Sequence, residues 1–124
     1  MQRLKSLIIS INASPEIRRK GLAYYIAREY KLPYIGEHLF SIVVHGHTVI
    51  VDLRRGTVSC SCMWFTTHKE ICSHIVCAIH YLLNEVELVK ALPFLNFLQE
   101  IGFIKLERGG LYWLRRCQER RRVK

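Results

Sequence analysis

The chain has 124 residues and carries 19 lysine or arginine side chains against 10 aspartate or glutamate, so its net charge is +9 at neutral pH. That length fits one modest domain, which can bury a core but gains appreciably from a bound metal ion. The apolar stretch from Leu7 to Ile11 is too short for a signal peptide, and nothing approaches the about 18 apolar residues of a membrane span, which excludes a membrane protein. The five cysteines are an odd number, so we expect no disulfide framework and predict a reducing, cytoplasmic compartment.

The N-terminal part predicts two helices. The first apolar residues have the spacing of a short amphipathic helix, although the same segment could also form a strand. These residues are Met1, Leu4, Leu7, Ile8 and Ile11. Ser14-Pro15-Glu16 combines a capping hydroxyl, a proline at the first helical position and an acid in the first turn. We therefore expect a second helix from Pro15 to about Tyr30. Its predicted core face carries Leu22, Tyr25, Ile26 and Tyr30.

Three strands of an antiparallel meander are predicted next. Phe40 to Val44 and Val49 to Leu53 flank a turn that contains Gly46, and a second turn at 54–56 leads into Thr57 to Ser59. His45 and His47 could be ligands of a second metal site, because imidazole groups bind metal ions. Because no further ligands lie near them in the sequence, we interpret them as two exposed imidazoles at a hairpin tip.

The motif Cys60-Ser61-Cys62, followed after nine residues by Cys72-Ser73-His74, supplies three thiols and one imidazole. A structural zinc site takes four such ligands and leaves no open position. Cys60 and Cys62 end a strand-like run, in which side chains two residues apart point to the same side. Residues two apart in a helix point about 200° apart, so Cys72 must precede the helix and His74 must lie in its first turn. We predict one tetrahedral zinc ion, with the Cys72 thiolate stabilised by the helix N-terminus.

Three other residues near this motif could in principle replace a ligand: His68, Cys77 and His80. The apolar face of the following helix is defined by Ile75, Ile79 and Leu82. Cys77 lies away from that face, so we interpret it as a half-buried structural thiol, and we interpret His80 as a packed or surface histidine. The alternative for the whole motif is that its cysteines are unligated and behave as small hydrophobic residues. Cys117 is predicted to be a free thiol.

The array of Cys60, Cys62, Cys72 and His74 resembles the SWIM-type zinc finger, whose pattern is Cys-x-Cys, a variable loop, and Cys-x-His at the start of a helix. The resemblance covers roughly residues 16 to 84, and it implies a β-hairpin before the first pair and an apolar helix after the second. Family members commonly place a basic residue between the last two ligands, where this chain has Ser73. The resemblance implies nucleic-acid binding in replication, recombination, transposition or transcription, or an adaptor role beside a recombinase-like protein.

The C-terminal part predicts a helix and a hairpin. Val86 to Ile101 reads as one or two helices, interrupted at Pro93 and ended by Gly102. The apolar segment 92–98 could bury against another subunit, but an ordinary core helix is favoured. Phe103 to Glu107, a turn at 108–110 and Leu111 to Arg115 predict a β-hairpin, which together with the helix resembles the second half of a winged helix.

The positive charge is concentrated in two segments. Residues 115–124 hold six basic residues and one acidic residue, and residues 1–31 hold seven and two, so each segment has a net charge of +5. Clustered guanidinium groups suit phosphate oxygens through bidentate hydrogen bonds and counterion release, which predicts a nucleic-acid partner. The candidate contacts are Arg18, Arg19, Lys20, Arg54, Arg55, Arg115, Arg116, Arg120, Arg121, Arg122 and Lys124. The alternative is a basic tail that only keeps the protein soluble or binds an acidic protein.

Aromatic residues offer a second way to hold nucleic acid. Trp64, Phe65 and Tyr112 could stack on the bases of a single strand. Core packing is the favoured interpretation for Phe65 and for Trp64. No base-reading pattern is present, so we expect phosphate contacts to dominate.

Together these patterns predict an α+β fold in three parts. Residues 1–84 form an N-terminal helix and the zinc finger, residues 85–116 form a helix and a wing-like hairpin on the same core, and residues 117–124 form a basic tail. The predicted function is nucleic-acid binding, to DNA rather than RNA; the alternative is a protein adaptor or homo-oligomer. We predict no small-molecule substrate and no catalysis by Cys72 and His74, because zinc would occupy both and the sole aspartate, Asp52, lies in a hairpin.

Overall fold

A computed structural model of the protein describes residues 9–106. In this part of the chain the fold is α+β, as predicted, with four helices and antiparallel sheets. The elements in chain order are β1 (Ile9–Ile11), α1 (Pro15–Ile26), β2 (Tyr34–Ile35), β3 (Leu39–Val44), β4 (His47–Asp52), β5 (Thr57–Cys60), α2 (Met63–His68), α3 (Ser73–Glu85), α4 (Leu88–Glu100) and β6 (Ile104–Leu106).

The predicted three-stranded meander is present and gains a fourth, two-residue strand at one edge, in the order β2-β3-β4-β5. Alternation of apolar residues determines which face is buried, because successive side chains of a strand point to opposite faces. The inner face carries fully buried Phe40, Ile42 and Val44 from β3, and Val49 and Val51 from β4. This face packs against α3 and α4.

A two-residue turn joins β3 to β4. His45 and Gly46 both have positive φ, 49° and 83°, which is the backbone that matches the right-handed twist of a tight hairpin. Val44 therefore pairs with His47 across the turn, and the register continues to Leu39 and Asp52. The turn brings both histidines to one end of the sheet.

Helix α1 begins as predicted and ends earlier. The Ser14 hydroxyl accepts a hydrogen bond from the N–H of Ile17 at 3.2 Å, as an N-cap should. The helix ends at Ile26 rather than near Tyr30, because Arg28 adopts φ 58° and the chain then runs beside β3. There the N–H of Lys31 donates to the Val43 carbonyl at 2.9 Å, and Tyr30 pairs with Val44.

Four residues of α1 were predicted to face the core, and for two of them, Leu22 and Ile26, this prediction is wrong. Leu22 is 39% exposed and Ile26 is 68% exposed, whereas Gly21 is buried against α3. A Cβ atom on Gly21 would lie 2.4 Å from the Cβ of Val76. The two helices approach so closely that the contact needs a residue without a side chain, and large apolar residues are excluded from it.

Helix α3 is the centre of the core, with contacts to α1, α4 and the sheet. Cys77, predicted to be half-buried, is fully buried within it. Helix α4 is one continuous helix that contains Pro93. Because both Pro93 and Val89, four residues before it, lie on the exposed side, water can satisfy the carbonyl group that proline leaves without a partner.

The apolar segment 92–98 belongs to the core, as favoured above. Leu92, Phe94, Leu95 and Leu98 are all buried, and the ring of Phe94 lies 5.8 Å from that of Phe40 in the sheet. Gly102 follows the helix with φ 88° and ends it as predicted, since its N–H donates to the Gln99 carbonyl at 3.0 Å. This segment is therefore not the subunit contact considered for the adaptor role.

Strands from the two ends of the described chain form a separate sheet. β1 pairs with β6 in antiparallel register, Ile9 with Leu106 and Ile11 with Ile104. The segment from Ile9 onward is thus a strand rather than part of an amphipathic helix, and Ile104–Leu106 pairs with β1. The rest of the predicted N-terminal helix, the turn and second strand of the wing-like hairpin, the tail at 117–124 and Cys117 lie outside the described residues. No helix within residues 9–106 is long and apolar enough to cross a membrane.

Candidate metal centre

The end of one strand and the starts of two helices bring the four predicted ligands together. Cys60 is the last residue of β5, Cys62 is the N-cap of α2, Cys72 is the N-cap of α3, and His74 is the second residue of that helix. All four side chains are buried, and their ligand atoms lie within 4.8 Å of one another. The predicted placement of Cys72 before the helix and of His74 in its first turn is confirmed.

The donor set and its dimensions fit a tetrahedral metal ion. Tetrahedral zinc, with Zn–S bonds of about 2.3 Å and Zn–N bonds of about 2.0 Å, separates two sulfur ligands by roughly 3.8 Å and a sulfur from a nitrogen ligand by roughly 3.5 Å. In the structure the Sγ atom of Cys72 lies 3.8 Å from Nδ1 of His74. An inward movement of under roughly 1 Å would bring the most separated ligand atoms to tetrahedral spacing. Buried thiolates and imidazole together form a site that can hold one metal ion.

The first ligand pair is fixed to the neighbouring strand by Ser61. Its N–H donates to the Thr48 carbonyl at 3.1 Å, and its hydroxyl accepts from the Thr48 N–H at 3.1 Å. The Sγ atom of Cys62 accepts a hydrogen bond from the N–H of Phe65 at 3.4 Å. These bonds fix the backbone between the two cysteines and orient the Cys62 thiol.

The segment between the two ligand pairs contains a helix that was not predicted. Helix α2 ends at His68, and Lys69, which follows it, has φ 58°. Trp64 holds this helix against the next segment, because its indole N–H donates to the Ile71 carbonyl at 3.1 Å and its ring stacks on His68 at 3.9 Å. Phe65 is buried as predicted, whereas Trp64 remains 39% exposed. The folded segment fixes the distance between the two halves of the centre.

The ligands have unequal proton affinities. The Cys60 thiol donates a hydrogen bond to Cys72, and this bond together with burial raises the pKa of Cys60. The same bond lowers the pKa of Cys72 and, with His74 and the N–H of Ile75, outweighs its burial. Cys72 is therefore the first of the two to become a thiolate, in agreement with its predicted place at a helix N-terminus.

Of the two histidines at the hairpin tip, His45 is exposed as predicted, whereas His47 is half-buried and packs against the centre. His47 lies with its ring centroid 4.6 Å from that of His74, and His45 stacks on Tyr24 at 4.8 Å. Tyr24 in turn stacks on His74 at 5.5 Å. Nδ1 of His45 also lies 2.7 Å from the Glu29 carboxylate. The His74 ring is thus held between Tyr24 and His47, and local sequence patterns give no sign of this contact between distant segments.

Replacing His47 with alanine is expected to weaken metal binding by about tenfold, because residues that orient a ligand commonly contribute that factor or more. The measurement is competition for zinc with a chromophoric chelator. His38→Ala is the matched control, since His38 is an exposed histidine of the same sheet region. An equal effect of both substitutions would show that the contact with His74 does not orient the ligand.

The alternative ligands lie outside the cluster of four. Burial raises the pKa of the Cys77 thiol to about 12 and lowers the pKa of His80. His68 is exposed and stacks on Trp64. Among the described residues, only the cluster of Cys60, Cys62, Cys72 and His74 brings metal-binding groups together.

The basic residues predicted to contact phosphates are only partly within the described chain. Arg18, Arg19 and Lys20 are exposed on α1, and Arg54 and Arg55 are exposed at the β4–β5 turn. The described residues 9–106 carry ten basic and eight acidic residues, whereas the whole chain has 19 and 10. Most of the excess charge, including all predicted contacts from Arg115 to Lys124, therefore lies outside this part of the chain.

An open cavity of about 380 Å³ lies beside the centre. It is lined by Cys62, Cys72 and His74 on one side and by Lys20 and Trp64 on the other. A larger cavity of about 530 Å³ adjoins it and shares Trp64. The first cavity offers a path from solvent to the ligands, with one basic side chain at its rim.

No family model, no curated protein and no solved structure matches this chain.

Proposed function

We propose that the chain is a SWIM-type zinc module that binds nucleic acid, DNA in preference to RNA, mainly through backbone phosphates. The observation that supports it most is the buried cluster of Cys60, Cys62, Cys72 and His74. Its ligand order is that of the family pattern described above. The ion would be structural, because four protein ligands leave no open position for a substrate.

Zinc is the metal that this donor set favours. Three thiolates and one imidazole in a tetrahedral arrangement select zinc over magnesium or calcium, which prefer oxygen ligands. The ligands come from one strand end and two helix starts, so a bound ion would join β5, α2 and α3 directly. Such an ion contributes to folding rather than to chemistry.

A catalytic role for the Cys72 and His74 pair has less support. A nucleophilic thiolate needs a free thiol and a base oriented by a third group. Both residues are ligands in the proposed site, and the sole aspartate, Asp52, accepts hydrogen bonds from the N–H groups of Arg54 and Arg55 in the β4–β5 turn. The aspartate is therefore occupied in a structural turn.

Phosphate binding is supported by the charge of the chain. Its net charge is +9, and Arg18, Arg19 and Lys20 form an exposed basic segment on α1. Lys20 reaches the rim of the cavity beside the metal ligands. Arginine side chains bind phosphate oxygens with two parallel hydrogen bonds. The proposal places the nucleic acid along α1 and the basic residues at 115–124.

The test is binding of the zinc-loaded protein to labelled single- and double-stranded DNA and RNA by fluorescence anisotropy across a salt series. Removal of one phosphate-binding side chain should reduce the magnitude of the slope of log K against log salt concentration by roughly 0.7 to 0.9. Deleting residues 115–124 should therefore weaken binding and flatten the slope. Arg18→Ala with Arg19→Ala should have a smaller effect of the same kind.

The matched control is Lys90→Ala, an exposed lysine on α4 that lies outside the predicted contacts. Its affinity and slope should remain within error of the unmodified chain. Unchanged affinity after deletion of residues 115–124 would remove the role of the basic segment. Absence of binding at low salt would remove nucleic acid as the partner and favour the adaptor alternative.

A further inference from the structure

Helix α1 exposes an apolar surface that the fold does not use. Leu22 and Ile26, one turn apart, are 39% and 68% exposed, and Ala23 and Ala27 beside them are exposed as well. Residues three and four apart share one face of a helix. These four residues, called here the α1 apolar face, lie opposite the side on which Gly21 packs against α3.

The first half of the same helix is basic. Arg18, Arg19 and Lys20 are exposed, and within residues 9–106 no carboxylate forms a salt bridge with them. Glu16 is the only acidic residue of the first turn. The solvent side of α1 therefore combines an apolar half with an uncompensated basic half.

The charge pattern determines which occupant suits this surface. In a parallel pair, a second copy of the chain would place Arg18 and Arg19 beside the same residues of the other copy. An antiparallel pair centred on Leu22 and Ile26 would place them beyond Ile26, the last residue of the partner helix, with no acidic residue of α1 opposite them. A nucleic acid would contact the arginines but would leave Leu22 and Ile26 in water. A membrane surface calls for a larger apolar face than two large side chains provide.

We propose that the α1 apolar face docks an amphipathic helix of a partner protein, whose apolar stripe covers Leu22 and Ile26 and whose acidic residues lie beside Arg18 and Arg19. Small residues allow helices to approach closely, and Ala23 and Ala27 flank the two large side chains on this face. The helix has 12 residues, about 18 Å of contact length. That is a small interface, so the complex would be of moderate affinity and short lifetime. The inference goes beyond the proposed nucleic-acid function and does not depend on it. Because both partners would use Arg18 and Arg19, a helix bound to α1 and nucleic acid bound along α1 would compete.

The test uses the full, zinc-loaded chain and a labelled synthetic amphipathic helix of about five turns, with leucine on one face and glutamate along its flanks. Fluorescence anisotropy should show saturable binding. Ile26→Gln should weaken it about tenfold, which corresponds to the burial of one large aliphatic side chain. A peptide with lysine in place of glutamate should bind at least about tenfold more weakly, because like charges then face each other.

Val89→Gln is the matched control, because Val89 is 60% exposed on α4 and is not part of the α1 apolar face. It should leave peptide affinity unchanged. Both substituted residues are exposed, and thermal unfolding would verify that each variant folds.

Four results would overturn the proposal. These are no saturable binding, equal weakening by both substitutions, binding of anionic lipid vesicles that Ile26→Gln abolishes, and self-association in sedimentation that Ile26→Gln abolishes. The third result would identify a membrane surface as the occupant, and the fourth would identify a second copy of the chain.

Discussion

Replacing His74 with alanine is expected to abolish both stoichiometric zinc binding and cooperative unfolding of the protein. Structural zinc contributes roughly 10–16 kcal/mol of apparent binding free energy in small finger peptides, which is comparable to the roughly 5–15 kcal/mol stability of a whole domain. The four ligands join the end of β5 to the starts of α2 and α3. Without one ligand, the buried thiols would lie close together with no ion to hold them. Cys62→Ser should behave in the same way.

The measurements are zinc content after dialysis against a weak chelator, and unfolding followed by circular dichroism. Cys77→Ala is the control, because Cys77 is buried in α3 but lies outside the cluster. It should retain one equivalent of zinc and lose only about 1–2 kcal/mol of stability from the small cavity. A His74→Ala protein that keeps both one equivalent of zinc and a cooperative transition would refute the metal centre.

Gly21→Ala is expected to destabilise the protein by about 3 kcal/mol, although alanine is the better helix former. The added methyl carbon would lie 2.4 Å from the Cβ of Val76 and 2.7 Å from the carbonyl oxygen of Ser73. Neither atom is the end of a flexible side chain, so α1 and α3 must separate. Overpacking of this kind commonly costs about 1–3 kcal/mol or more, and it outweighs a helix-propensity gain of roughly 1 kcal/mol. Since Ser73 lies between Cys72 and His74, zinc affinity should fall as well.

Urea unfolding of the zinc-loaded protein measures the effect of Gly21→Ala, and chelator competition measures the change in metal affinity. Ala23→Gly is the control, because it makes the reverse exchange on the exposed side of the same helix and changes helix propensity without overpacking. It should cost about 1 kcal/mol from helix propensity alone and leave zinc affinity unchanged. If Gly21→Ala stabilised the protein, the close approach of α1 to α3 would be refuted.

The metal cluster and the sheet could be predicted because their determinants are local. The four ligands lie within fifteen residues, and strand and helix geometry alone decides which of them converge. Two apolar segments on either side of the Gly46 turn indicated β3 and β4, and the Ser14 cap indicated the start of α1. Whether the cluster holds zinc, and whether the chain binds nucleic acid, remain predictions.

The features that sequence reasoning missed depend on contacts between distant segments. Leu22 and Ile26 have core spacing, but periodicity gives no sign that Gly21 is the residue in contact with α3. The place of His47 beside His74 depends on how the hairpin tip meets α3. Helix α2 was missed for another reason, since its six residues are too few for apolar periodicity to indicate a helix. At Gly21 and His47, by contrast, packing between distant segments outweighed local preference.

The pairing of β1 with β6 brings the two ends of the described chain together. Because Ile9 lies opposite Leu106 in antiparallel register, a short linker across the paired strands could join these two positions. Residues 9–106 are therefore suitable for circular permutation.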